Sequence, residues 1–179
     1  MKNEHTVLYQ LTETSPFMMS FVVVTKQNNV IIIDGGMKAD MPLLKKYVGN
    51  RHVSAWILTH AHSDHIDGFV SEMRKNGGKD FDIEKIYYNF PPYSLIEKHD
   101  VPDYDYFKSE LDEMLPAFNE VLPLFRDKTH IVTQGESIQI DEVKIDFLFT
   151  YHPDLVANLM NDSSLVFKLT TPNTSVLFL

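Results

Sequence analysis

A strand-like run, Val53–Leu58, leads straight into seven residues that carry three imidazoles and a carboxylate, Thr59-His60-Ala61-His62-Ser63-Asp64-His65. A helical pattern follows at once, Ile66–Lys75, and stops near Gly77-Gly78. No other stretch restricts the fold as strongly. Neutral imidazoles with a carboxylate are the usual nitrogen and oxygen donors for zinc and similar divalent ions. Side chains two apart at a strand end point to the same side, so His60 and His62 can grip one ion together. The chain then turns into a loop, which is expected to swing Asp64 and His65 toward a second ion, with the Ile66 helix holding that loop rigid. Two ions about 3.5–4 Å apart can share a bridging hydroxide, and zinc lowers the pKa of bound water to about 7. Asp64 sits where a carboxylate can both bind metal and orient that hydroxide, which makes it the candidate catalytic residue.

The flanking sequence is patterned as strands and helices in mixed order. Val7–Leu11, Phe17–Lys26, Val30–Asp34 and Ile83–Tyr88 read as strands, the second and third joined by a turn at Gln27-Asn28-Asn29. Asp34-Gly35-Gly36 stops the third of these. Its carboxylate is a candidate to orient a ligand histidine from behind, or simply a turn-former before Gly-Gly. Met41–Val48 reads as a helix with Pro42 in its first turn, and Phe90–Phe107 as a long ordered loop. From Tyr106 to Phe125 apolar residues recur at three-four spacing, with Pro116 expected to kink that helix or start another. His130–Thr133, Ser137–Ile140, Val143–Thr150, Ser164–Thr170 and Ser175–Leu179 complete the strands. Sheets covered by helices in one α/β unit, residues 1–179, are expected.

Composition narrows the chemistry. The chain of 179 residues has no cysteine, which excludes disulfides, thiolate zinc sites and a cysteine nucleophile, and fits a reducing cytoplasm. A net charge of −9 disfavours long nucleic acid as a partner. No apolar stretch approaches the length of a membrane span, so no membrane partner is expected. There is no Gly-x-Ser-x-Gly elbow to suggest a serine hydrolase.

The run Thr59 to Gly68 resembles the His-x-His-x-Asp-His signature of the metallo-β-lactamase superfamily, and Asp34-Gly35-Gly36 resembles the superfamily's first motif. The resemblance is clear over residues 17 to 75 and looser elsewhere. It implies a four-layer αβ/βα sandwich, mixed β-sheets flanked by helices, with metals at one edge between the sheets. It also implies a metal-dependent hydrolase that attacks an ester-type bond: phosphodiester, thioester, lactone or amide. Two zinc ions are the implied cofactor, with manganese or iron as substitutes. An iron redox enzyme and a non-catalytic metal-binding module are the alternatives. Asp67 stands where many relatives have Gly.

The family normally supplies another His, a bridging Asp and a final His from later strands. Beyond the motif, which ends at His65, this chain offers His99, His130 and His152. His152 follows an apolar strand and is the candidate for the third ligand of the first metal. His99 lies in a charged stretch and reads as solvated, while His130 reads as structural. The segment Asn161-Asp162-Ser163-Ser164-Leu165-Val166 is similar to a stretch of DNA-uptake competence-type members, in which the next strand ends in Thr-Gly-Asp. Here the sequence stops at Leu179, so the second half of the fold is expected to be incomplete. A small-molecule or phosphodiester substrate fits these features. Tyr87, Tyr88, Phe90 and Tyr93 are expected mostly to pack the core and loops.

Overall fold

A computed structural model describes residues 3–11, 17–96, 104–154 and 160–179. Four β-branched residues in a row, Val30–Ile33, form strand β3, and all four are buried. A strand covered on both faces reads as a continuous apolar run, and this one lies inside its sheet. β2 (Phe21–Val24) pairs with it antiparallel and β4 (His52–Ile57) parallel. The β2–β3 connection turns at Asn28, whose φ of 71° is one that Asn tolerates. β1 (Val7–Gln10) extends this side of the sheet. On the other side β6 (Ile86–Tyr88) pairs parallel with β4, β7 (Thr129–Ile131) parallel with β6, and the two-residue β5 (Asp82–Ile83) with the start of β4. The expected strand Ile83–Tyr88 is thus two short pieces along one partner, β4.

The parallel pairings require crossovers, and helices supply them. α1 (Met41–Val48) joins β3 to β4, and α2 (Ser63–Asn76) leads from β4 to β5. α3 (Tyr93–Ile96) and α4 (Tyr104–Val121) lie between β6 and β7. Part of the expected loop Phe90–Phe107 is therefore helical, while His99 lies outside the described residues. Pro116 neither ends α4 nor starts a second helix: α4 runs through it to Val121. A 3-10 turn, Leu122–Phe125, continues from there.

The second sheet is an antiparallel meander of β8 (Ser137–Ile140), β9 (Val143–Phe149), β10 (Val166–Thr170) and β11 (Ser175–Phe178). Alternation along the strands sorts side chains into two cores. Val22, Ile32 and Trp56 face the helices, where they meet Phe69, Met73 and Phe118. Val23, Ile31, Ile33, Ala55 and Ile57 face the second sheet and pack against Ile145, Phe147, Phe167 and Leu169. The described residues thus form helix, sheet and sheet layers of a mixed α/β sandwich. The outer face of the second sheet shows Lys144, Leu148, Lys168 and Leu177 to solvent, and the fourth, helical layer does not occur among the described residues. Among them, no helix is long and apolar enough to cross a membrane.

Candidate metal centre

The His/Asp cluster sits where β4 hands over to α2. His62 is the extended N-cap of α2, with ψ of 154°. Ser63, Asp64 and His65 form the helix's first turn, so Asp64 and His65 stand on the helix itself rather than in a preceding loop. The physical reason is local: Ser63 and Asp64 favour a helix start, where a carboxylate also meets the positive end of the helix dipole. Two glycines let the Asp34–Gly36 turn lie against this helix. The Gly35 amide donates to the His65 carbonyl at 2.7 Å, and the Gly68 amide to the Gly36 carbonyl at 2.8 Å. A Cβ on Gly68 would stand 2.5 Å from the Gly35 carbonyl oxygen, so only glycine permits this approach. The Met19 amide, donating to the Asp64 carbonyl at 3.1 Å, holds the segment before β2 against the motif. That tether, with Phe17 at a φ of 64°, explains why β2 starts at Phe21 instead of Phe17.

The four motif side chains come together as two adjacent pairs. His60 Nε2 lies 3.1 Å from His62 Nδ1. Two ligands of one tetrahedral zinc, each about 2.0–2.1 Å from the ion, stand about 3.3 Å apart, so these nitrogens are spaced to share an ion. His65 Nε2 lies 3.6 Å from Asp64 Oδ2. The His60 and His65 rings are in contact, with centroids 3.8 Å apart, which places the two pairs side by side. Among the described residues, no three His, Asp or Glu groups are arranged to hold one ion. His152 therefore does not complete a trio with His60 and His62. β9 ends at Phe149, and the turn beyond carries His152 to the surface, 61% exposed, with Asp154 Oδ2 at 3.4 Å. His130 pairs with Glu136 at 2.7 Å, in keeping with a structural residue.

Behind the pairs lies a buried carboxylate. Asp34 is only 2% exposed. Its Oδ1 accepts the Thr59 amide at 2.8 Å, and its Oδ2 accepts the Thr59 hydroxyl at 2.8 Å and His65 Nδ1 at 2.7 Å. The Trp56 indole donates to the Asp34 carbonyl at 3.1 Å. Asp34 thus holds a histidine of the motif, His65, by a hydrogen bond. Thr59 and Trp56 carry no mark in the sequence: each is an ordinary residue whose partner, Asp34, lies more than twenty positions away.

Electrostatics separates the imidazoles. Burial, reinforced by the neighbouring His65 and His62, pushes the His60 pKa down to about 2, so this ring stays neutral with one lone pair available. Burial also works against charge on His65, but the Asp34 carboxylate and its hydrogen bond outweigh it and raise that pKa. Burial raises the Asp64 pKa, against the lowering effect of His65.

The donor set suits a borderline-soft divalent ion, and the 3.1 Å between the paired nitrogens of His60 and His62 matches the spacing of two ligands on one ion. The chain belongs to the metallo-β-lactamase superfamily, whose family model matches residues 16–178. Its fold is similar to that of AidC, a dizinc quorum-quenching lactonase, with a TM-score of 0.61 and 18% identity over 89% of this chain and 54% of that one. It is also similar to MEM-A1, a subclass B3 metallo-β-lactamase from a soil metagenome library, with a TM-score of 0.54 and 17% identity over 89% and 55% of the two chains. A mutant of the CmlA β-hydroxylase gives a TM-score of 0.55 and 13% identity over 99% of this chain and 30% of that one. The chain therefore spans about half the length of the lactonase and the soil β-lactamase. Comparison with curated protein sequences gives no match.

Proposed function

We propose that this chain is a metal-dependent hydrolase domain that cleaves an ester-type bond in a lactone, thioester, amide or phosphodiester. The carrying observation is the convergence of His60, His62, Asp64 and His65 into two adjacent donor pairs backed by Asp34. His60 and His62 would hold one divalent ion and Asp64 and His65 a second, zinc first among the candidates. Such ions, when bound, would supply Lewis acidity and an activated water near neutral pH. The chain's own residues do the rest. His60, kept neutral by burial, offers its nitrogen without first losing a proton. Asp34 holds the His65 ring so that Nε2 faces Asp64. Asp64, partly exposed at 23% and with a raised pKa, is placed to take up a proton at Oδ2 while orienting the attacking water. The similarity to a dizinc lactonase and a β-lactamase supports hydrolysis, and the similarity to a β-hydroxylase makes metal identity part of the test.

That test is metal removal with EDTA, then reloading with zinc, manganese or iron, assayed against a panel of lactones, thioesters, amides and phosphodiesters. Activity is expected to vanish with the metal and return with zinc or manganese. Asp64→Ala is expected to lower the rate by at least about 100-fold, the upper range for loss of a proton-transfer group being about 10⁴-fold. An undiminished rate after complete metal removal contradicts the reading. Iron as the sole native metal, with oxidative turnover, would replace hydrolysis by redox chemistry.

A further inference from the structure

We infer that Thr59 is a positioning residue whose hydroxyl fixes the His60 proton on Nδ1, leaving Nε2 as the donor that faces His62. The inference rests on the metal-binding reading above and deepens it. A threonine hydroxyl has one proton to donate and lone pairs to accept with, and a carboxylate only accepts. Thr59 Oγ1 lies 2.8 Å from Asp34 Oδ2, so its single proton goes to that oxygen. The contact of 3.2 Å between Thr59 Oγ1 and His60 Nδ1 then has one polarity available: the ring nitrogen donates and the hydroxyl accepts. A neutral imidazole carries one ring proton. With that proton on Nδ1, His60 Nε2 presents its lone pair, and this nitrogen lies 3.1 Å from His62 Nδ1.

The same chain of bonds treats His65 through Asp34 directly. His65 Nδ1 donates to Asp34 Oδ2 at 2.7 Å and has only a secondary approach to Thr59 Oγ1 at 3.1 Å. The Thr59 backbone amide meanwhile anchors the second carboxylate oxygen of Asp34 at 2.8 Å. Thr59 and Asp34 are both buried, at 7% and 2% exposure, so water does not compete freely for these bonds. One hydroxyl thereby links the two donor pairs. The pairs depend on it unequally: among the described residues His60 has Thr59 alone behind its Nδ1, whereas His65 keeps Asp34 if the hydroxyl is lost.

The experiment combines nitrogen-15 histidine NMR of the metal-free protein with zinc and cobalt(II) titration of wild type, Thr59→Val and Thr59→Ser. In wild type, His60 is expected as the Nδ1-protonated tautomer. Thr59→Val is expected to mix the tautomers and weaken one of the two metal positions about 10- to 100-fold, the usual effect of losing an outer partner, while Thr59→Ser stays within about threefold of wild type. The Asp64/His65 position should change less than the His60/His62 position. Wild-type His60 protonated on Nε2 overturns the inference, whether or not Thr59→Val folds. So does a folded Thr59→Val protein that binds both ions as wild type does. A wild-type protein that binds no metal sinks the hydrolase reading instead, and the tautomer measurement separates the two failures.

Discussion

Asp34 occupies a left-handed backbone conformation, φ 57°, that a non-glycine residue adopts at some cost, and in return its side chain is enclosed by three donors. Asp34→Ala leaves the Thr59 amide, the Thr59 hydroxyl and the His65 ring nitrogen without that acceptor. Each orphaned buried group costs about 1–3 kcal/mol, so urea unfolding of the metal-free variant should show at least that loss, and zinc affinity should fall about 10- to 100-fold. His60 gives a pH dependence. Its folded pKa is depressed to about 2, from 6.5 in the unfolded chain, so the unfolded state binds the extra proton. Its contribution to stability is therefore present above about pH 6.5 and is lost progressively as pH falls toward 2. Unfolding free energies of the metal-free protein at pH 7, 6 and 5 should decline, and His60→Asn should flatten that decline. His65, with a raised pKa, acts in the opposite sense, its contribution fading as pH rises through the folded value. At this scale the grouping of His60, His62, Asp64 and His65 was legible because four such residues within six positions, at a strand-to-helix junction, are forced close together. Asp34 was legible as one of two roles, and Thr59 as none, because its function lies in a contact across 25 positions.

Helix α2 is the element that assembles the site, since it carries Asp64 and His65 and rests on the Asp34–Gly36 turn. Gly68 makes this rest possible: an added Cβ would also meet Met41 Sδ at 2.8 Å. Gly68→Ala must push the helix away from a backbone carbonyl that cannot yield as a side chain would. Overpacking of this kind costs about 1–3 kcal/mol, read as a lower urea midpoint with an unchanged slope. Zinc affinity should fall as well, because the displaced helix carries Asp64 and His65. Most elements were legible from periodicity: α1 coincides with its expected range, Met41–Val48, and β8 with Ser137–Ile140. Boundaries failed where tertiary contacts override local pattern. Met19 is drawn off the β2 line by the Asp64 carbonyl, and α2 gains a turn before Ile66 because the cap at His62 permits it.

The described residues are held by two apolar cores that share one sheet, so damage to either should be felt in both. Phe147 lies fully buried between the sheets, stacked at 6.2 Å on Tyr87 of the first and tilted at 5.8 Å against Phe167 of the second. Phe147→Ala is expected to cost about 3–5 kcal/mol, with far-ultraviolet dichroism and Trp56 fluorescence lost in one coincident transition. The strands were legible one by one, but their order in the sheet was not. Placing β4 between β3 and β6 depends on crossovers of 18 residues (34–51) and 28 residues (58–85), and no local pattern encodes such pairings. In the proposed function the motif side chains hold metal. Zinc-edge anomalous diffraction from crystals grown with excess zinc tests it at the atoms concerned. A zinc peak is expected about 2.0–2.1 Å from both His60 Nε2 and His62 Nδ1, and a second beside Asp64 and His65. Density free of zinc at those nitrogens, with the rings turned apart, would contradict it.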